Sequence, residues 1–223
     1  MPTTLAFDVY GTLIDTNGVI DALKPHLAHR ACDFSRAWRD KQLEYSFRRG
    51  LMQNYQPFSV CTSQALDFTC YQFGLQMEPG CRTELMDAYG TLPAFKDAAE
   101  GLALIKEAGF RMYAFSNGSA EAVDALLAQA GLRSFFLDVV SVDEVKSFKP
   151  NPGVYAHFLR RASTTGANAW LISSNPFDVI GALSAGMRAA WIRRTADAFF
   201  DPWGMEPSLT VSTLVDLAAR MDR

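Results

Sequence analysis

With 223 residues, 49% of them hydrophobic, the chain can bury a substantial core, as one domain carrying a large insertion or as two small domains. A formal net charge of −3, with basic residues scattered apart from pairs such as Arg48-Arg49 and Arg193-Arg194, leaves no electrostatic footprint for nucleic acid. No apolar run approaches the roughly 20 residues that span a bilayer, and the N-terminus lacks a basic segment followed by an apolar run and cleavage site; no membrane partner and a cytoplasmic location are expected.

In chain order, the first element is the apolar run Leu5-Ala6-Phe7-Asp8-Val9, which predicts a buried strand that delivers Asp8 into a turn at Tyr10-Gly11-Thr12. Residues 16–93 then lack strand signals. They are rich in helix formers and aromatics, with apolar positions three and four apart in 37–45 and 66–73, which predicts a helical cap inserted after the first strand. Cys32, Cys61, Cys70 and Cys81 all fall in this stretch; with no C-x-x-C spacing and no adjoining histidine pattern they read as free thiols and give no zinc or redox motif.

Strand-like runs recur at 111–115, 138–142, 169–172 and 189–192. Helical patterns lie between them: 120–130 stops at Gly131, 152–162 opens on a proline, and 176–185 stops at Gly186. This alternation predicts an α/β fold, a doubly wound parallel sheet with helices on both faces. The expected division is a core of residues 1–15 and 94–223 with a cap of 16–93 over the carboxyl edge of the sheet.

Polar signals follow four of the strands: Asp8 with Thr12; Ser116-Asn117-Gly118-Ser119; Lys149-Pro150; and Ser173-Ser174-Asn175 with Asp178. Each alone has an ordinary explanation. Asp8 suits a turn, Ser116 to Ser119 suit a helix cap, Lys149 suits a solvated loop, and Asp178 suits the first turn of a helix. Parallel strands, however, bring their carboxyl ends together, so the four signals predict one site.

These segments, Phe7 to Leu13, Ser116 to Ser119, Phe148-Lys149-Pro150 and Ser173 to Asp178, resemble the four motifs of the haloacid dehalogenase superfamily along the whole chain. More narrowly, Trp38 to Tyr45 and Trp191 to Thr195 are similar to the L-2-haloacid dehalogenases. Phosphatases of the superfamily normally carry a second Asp where this chain has Tyr10, and acidic residues where it has Ser174 and Asn175. A hard dication prefers several anionic oxygens, so no metal and no cofactor are expected, and a phosphatase or phosphomutase acting on a small phosphomonoester is the alternative reading.

The resemblance implies that Asp8 displaces halide from C2 of a 2-haloalkanoate, giving an ester with inversion, and that water then hydrolyses the ester. Arg39 is implied on the halide side, assisted by Asn117. Ser116 and the turn amides are implied to hold the substrate carboxylate, while Tyr10, Leu43, Phe58 and Phe177 shape an apolar pocket. Asp178 is the implied proton acceptor, with Asn175 and Lys149 orienting water and Thr12 near the developing oxyanion; Ser173 and Tyr155 are expected to support Lys149 or Asp178. Phe177 stands where the family often has tryptophan. Assembly as a homodimer is expected by analogy alone.

Overall fold

The computed structural model describes residues 3–221. Six strands, β1 (Thr4–Phe7), β2 (Arg111–Ser116), β3 (Asp138–Ser141), β4 (Ala169–Ser173), β5 (Arg188–Ile192) and β6 (Leu209–Val211), form one sheet in the order β3-β2-β1-β4-β5-β6. Every pairing is parallel. The chain winds outward from β1 in one direction through β2 and β3 and then returns to β4 on its other side. The reversal of strand order therefore falls between β1 and β4, where open α/β sheets bind ligands.

Side-chain alternation along the strands feeds two apolar layers. Leu5, Phe7, Met112, Ala114, Ile172 and Ala190 enter one, while Ala6, Tyr113, Phe115, Leu171 and Ala189 enter the other. Four helices occupy the sequence between β1 and β2 ahead of α5 (Ala98–Glu107): α1 (Val19–Leu27), α2 (Ala31–Leu51), α3 (Phe58–Gln72) and α4 (Pro79–Ala88). Helix α2 packs along α3, and an aromatic cluster of Phe34, Trp38, Phe73 and Tyr89 fills their interior with edge-on rings. That cluster is continuous with the first apolar layer of the sheet.

The remaining helices, α6 (Ala120–Gln129), α7 (Pro152–Arg161), α8 (Pro176–Ser184) and α9 (Leu214–Arg220), complete the cover. Ser119 caps α6 through Ala122 N, and Asn151 caps α7 through Gly153 N, as the sequence chemistry requires. Strand β6 and helices α5 and α9 have no counterpart in the predicted elements. Among the described residues, no helix is long and apolar enough to cross a membrane.

Candidate active site

Asp8 follows the last residue of β1, and its amide donates to Ile172 O at 2.9 Å, so the strand ladder itself fixes its backbone. The turn that follows needs Gly11 at φ +86°, a conformation that L side chains rarely adopt. It returns Thr12 beneath the carboxylate. Asp8 Oδ2 accepts from Thr12 Oγ1 at 2.7 Å, Asn175 Nδ2 at 2.7 Å and Ser173 Oγ at 3.2 Å. Among the described residues Oδ1 accepts from Lys149 Nζ alone, at 3.1 Å. The carboxylate is thus clamped through one oxygen and faces a cation with the other.

Lys149 is buried, and its ammonium also donates to Phe115 O at 2.9 Å and Asp178 Oδ2 at 2.7 Å. Three donors meet three acceptors, which is what a desolvated ammonium requires. Burial alone would lower the Lys149 pKa, but the two carboxylates outweigh it and hold it above the ordinary lysine value. Asp178 is fully buried in the first turn of α8, and burial pushes its pKa up to about 6 against the pull of Lys149. Its Oδ1 accepts from Tyr155 Oη at 2.8 Å. Tyr155 can approach only because residue 181 is glycine: a Cβ there would stand 2.3 Å from the phenol oxygen. Burial, and then Asp178, keep the Tyr155 phenol neutral.

The loop after β2 is tied to these groups. Asn117 Oδ1 accepts from Lys149 N at 3.0 Å, and Asn117 lines the cavity. Ser116 Oγ accepts from Gly118 N at 3.1 Å, and Ser141 Oγ at the end of β3 donates to Gly118 O at 2.7 Å. Ser174 Oγ donates to Gly11 O at 2.7 Å and its amide to Thr12 Oγ1 at 2.9 Å, binding the first and fourth motifs together.

A small cavity of about 10 Å³ is lined by Asp8, Tyr10, Arg39, Leu43, Phe58, Ser116, Asn117, Lys149, Asn175 and Phe177. That space holds about one water molecule. Ten of the fourteen residues singled out from the sequence meet there. Thr12, Ser173, Tyr155 and Asp178 stand behind the wall, in contact with Asp8, Lys149 or each other. Ser173, expected beside Lys149 or Asp178, donates instead to Asp8. Arg39 and Leu43 reach the cavity from α2, one turn apart, and Phe177 is braced edge-on by Phe47 at 4.9 Å.

Tyr10 and Phe58 separate the cavity from a wider cleft of about 230 Å³ lined further by Met86, Tyr89 and Ala122. Burial raises the pKa of Tyr10, so a neutral phenol takes the position where a second carboxylate would stand. A larger cleft of about 420 Å³, between Tyr45, Met52 and Gln64 on the outer surface of α2 and α3, contains none of the motif residues.

The fit of a dication is testable from the donors. Both oxygens of Asp178 are taken, by Lys149 and Tyr155, and the fourth-motif positions are a hydroxyl and an amide. Among the described residues no group of three or more His, Cys, Asp or Glu side chains is arranged to hold a metal ion. The donor set does not fit a hard dication.

Sequence reasoning missed two contributors. Arg194, two residues past β5, donates to Thr12 O at 3.2 Å through Nε, and its Nη1 lies 2.8 Å from both Asp97 oxygens, bracing the Asp8 turn. Its signals were the basic pair Arg193-Arg194 and its place in the Trp191 to Thr195 segment of the family resemblance, neither of which gave it a role at the site. Gln42, fully buried in α2, accepts from Arg39.

The model for the haloacid dehalogenase-like hydrolases matches residues 2–186. The chain is 36% identical to the (S)-2-haloacid dehalogenase of Pseudomonas sp. (strain YL), over 94% of this chain and 90% of that one. It is 35% identical to haloacetate dehalogenase H-2 of Moraxella sp. (strain B), over 94% and 93%. Among solved structures, the L-2-haloacid dehalogenase of Xanthobacter autotrophicus with chloropropionic acid covalently bound superposes with a TM-score of 0.91 at 32% identity, covering 98% of each chain. The chain belongs to the haloacid dehalogenase-like hydrolases and, within them, to the L-2-haloacid dehalogenase family.

Proposed function

We propose that this chain hydrolyses L-2-haloalkanoates to D-2-hydroxy acids through an ester on Asp8, with inversion at C2 and no required metal. The observation that carries the reading is Asp8 itself: a carboxylate on the cavity wall whose Oδ2 is clamped by three donors while Oδ1 stands beside Lys149.

In the first step Oδ1 attacks C2, and the carbon–halogen bond breaks with its electron pair leaving on the halide. Arg39, on the same cavity, receives the departing anion with the Asn117 amide. Ser116 Oγ–H, itself held by the Gly118 amide, and the backbone amides of Asn117 and Ser119 hold the substrate carboxylate at the start of α6. Tyr10, Leu43, Phe58 and Phe177 keep water from the reacting carbon.

In the second step water adds to Cγ of the Asp8 ester. Asp178 takes the proton, and Asn175 and Lys149 orient the attacking oxygen. Thr12, Ser173 and Asn175, already on Oδ2, stabilise the oxyanion that develops there. Collapse breaks the bond from Cγ to the oxygen now carried by C2; that oxygen takes the proton held by Asp178, the 2-hydroxy acid leaves, and the regenerated Asp8 carboxyl releases its remaining proton to solvent. The core of 1–15 and 94–223 supplies the reacting groups, and the cap of 16–93 supplies Arg39, Leu43 and Phe58.

The reading extends to a homodimer in the cytoplasm. Exposed Leu51, Met52 and Tyr71 on α2 and α3 support self-association, and four unpaired thiols suit a reducing compartment. Light scattering of the purified protein tests the first and cell fractionation the second.

The functional test is halide release from each enantiomer of 2-chloropropionate, with and without a chelator. Chelator-resistant release from the L form alone, giving D-lactate, is the expected result. No release from any chloro- or bromo-acid, with magnesium-stimulated phosphate release from a small phosphomonoester, overturns it.

A further inference from the structure

We infer that Gln42 is a positioning residue: its neutral amide holds the Arg39 guanidinium at the halide side of the cavity without cancelling its charge. This rests on the halide role proposed for Arg39.

Gln42 lies one turn after Arg39 on α2 and has no exposed surface. A buried amide is costly unless both ends are bonded. Here Oε1 accepts from Arg39 Nη1 at 2.6 Å, and Nε2 donates to Thr62 Oγ1 of α3. Thr62 is anchored in turn, its hydroxyl donating to Phe58 O at 3.0 Å and its carbonyl accepting from Trp38 Nε1 at 2.9 Å. A chain of buried polar contacts therefore runs from the backbone of α3 to the guanidinium, and one end of it is the carbonyl of Phe58, whose ring lines the same cavity.

The chemistry of the partner is the informative part. Among the described residues no carboxylate lies within ion-pair distance of Arg39, although Asp40 is its neighbour in sequence. Adjacent helix positions do not face each other, so Asp40 leaves the guanidinium alone. The two phenols that sense Arg39, Tyr10 and Tyr89, are kept neutral by burial, Tyr89 being pushed up to about 12. Among the described residues the side-chain hydrogen bond that orients Arg39 is thus to a neutral amide. A carboxylate in place of the amide would fix the side chain equally well but would oppose its field a few ångströms from the halide. An amide fixes the side chain and leaves the remaining N–H donors and the full charge for an anion.

The full-length protein is compared with its Gln42→Glu, Gln42→Met and Thr62→Val variants by steady-state kinetics on L-2-chloropropionate. Bromide binding to the resting enzyme is followed by bromine NMR line width, which needs no turnover. Gln42→Glu is expected to weaken bromide binding and lower kcat by about 100-fold with an unchanged melting curve. Gln42→Met, which frees the guanidinium, should lower kcat by about 10- to 100-fold. Thr62→Val, remote from the reacting atoms, should shift both readouts less, in the same direction. It keeps the inference testable if either Gln42 variant fails to fold. Wild-type bromide binding and kcat in Gln42→Glu would show that the residue only packs the cap, and would overturn the inference. Loss of bromide binding in Gln42→Glu, in a wild type that releases no halide from any haloacid, would overturn the dehalogenation reading while leaving the positioning role in place.

Discussion

Lys149 Nζ lies 2.7 Å from Asp178 Oδ2, and neither side chain reaches solvent. The same ammonium is 3.1 Å from Asp8 Oδ1, so one buried cation couples the group proposed to attack carbon with the group proposed to take a proton from water.

That coupling sets a pH dependence. Lys149 stays charged across the working range because its two carboxylates outweigh burial, while burial pushes Asp178 up to about 6. Above that value Asp178 is a carboxylate, the form that the proposed proton transfer requires. Below it the group is protonated, and ester hydrolysis should fall about tenfold per pH unit. The apparent value belongs to the coupled set rather than to one residue. Single-turnover decay of the ester between about pH 5 and about pH 8 measures it. Tyr155→Phe removes a hydrogen bond that favours ionised Asp178, so the acid limb should move to higher pH. A profile with no acid limb in the wild type would remove Asp178 from the proton-transfer role. The stability effect has the opposite sense: between about pH 4 and about pH 6 the folded state binds the extra proton, so Asp178's contribution to stability falls as pH rises through that window, and Asp178→Asn should flatten the slope.

The four strand-end motifs were legible because a parallel sheet imposes their convergence whatever lies between them. Asp8, Ser116, Lys149 and Asn175 needed only the alternation of strand and helix to be placed in one site. Strand β6 was not legible, because Leu209-Thr210-Val211 is three residues long and only Val211 is buried. Gln42 was hidden for a different reason. Helix α2 buries Ser35, Gln42 and Ser46 beside Phe34 and Trp38, so its apolar and polar positions do not segregate and periodicity cannot distinguish a buried amide from a solvated one. The Arg194–Asp97 pair joins positions 97 residues apart through a contact that no local pattern records.

The Arg194–Asp97 pair carries a stability prediction. Burial lowers the Arg194 pKa, and the guanidinium is held by both Asp97 oxygens and by Thr12 O. Asp97 Oδ2 also accepts from Leu214 N at 2.7 Å, tying down the start of α9. Removing the carboxylate leaves a largely buried cation without its partner. Asp97→Ala should therefore lower the unfolding free energy by about 3 kcal/mol, seen as a reduced urea midpoint at unchanged slope. The double variant Asp97→Leu with Arg194→Met should recover much of that loss, because no uncompensated charge remains. A single variant that unfolds at the wild-type midpoint would show that the pair contributes nothing to the fold.

The two oxygens of Asp8 differ, and the difference predicts where solvent oxygen goes. Among the described residues Oδ2 accepts three hydrogen bonds, from Thr12, Ser173 and Asn175, which draw its electron density into the clamp, whereas Oδ1 accepts one, from Lys149. Oδ1 is therefore the oxygen proposed to attack C2 and depart with the product, with water attacking Cγ to replace it. In a single turnover with enzyme in excess in heavy-oxygen water, the first hydroxy acid should be unlabelled and mass spectrometry of the peptide carrying Asp8 should show one heavy oxygen. Returning that labelled enzyme to ordinary water with fresh L-2-chloropropionate should then deliver the label into product. Direct attack of water on C2 would put the label into the first product and leave Asp8 unlabelled, and the ester mechanism would have to be abandoned.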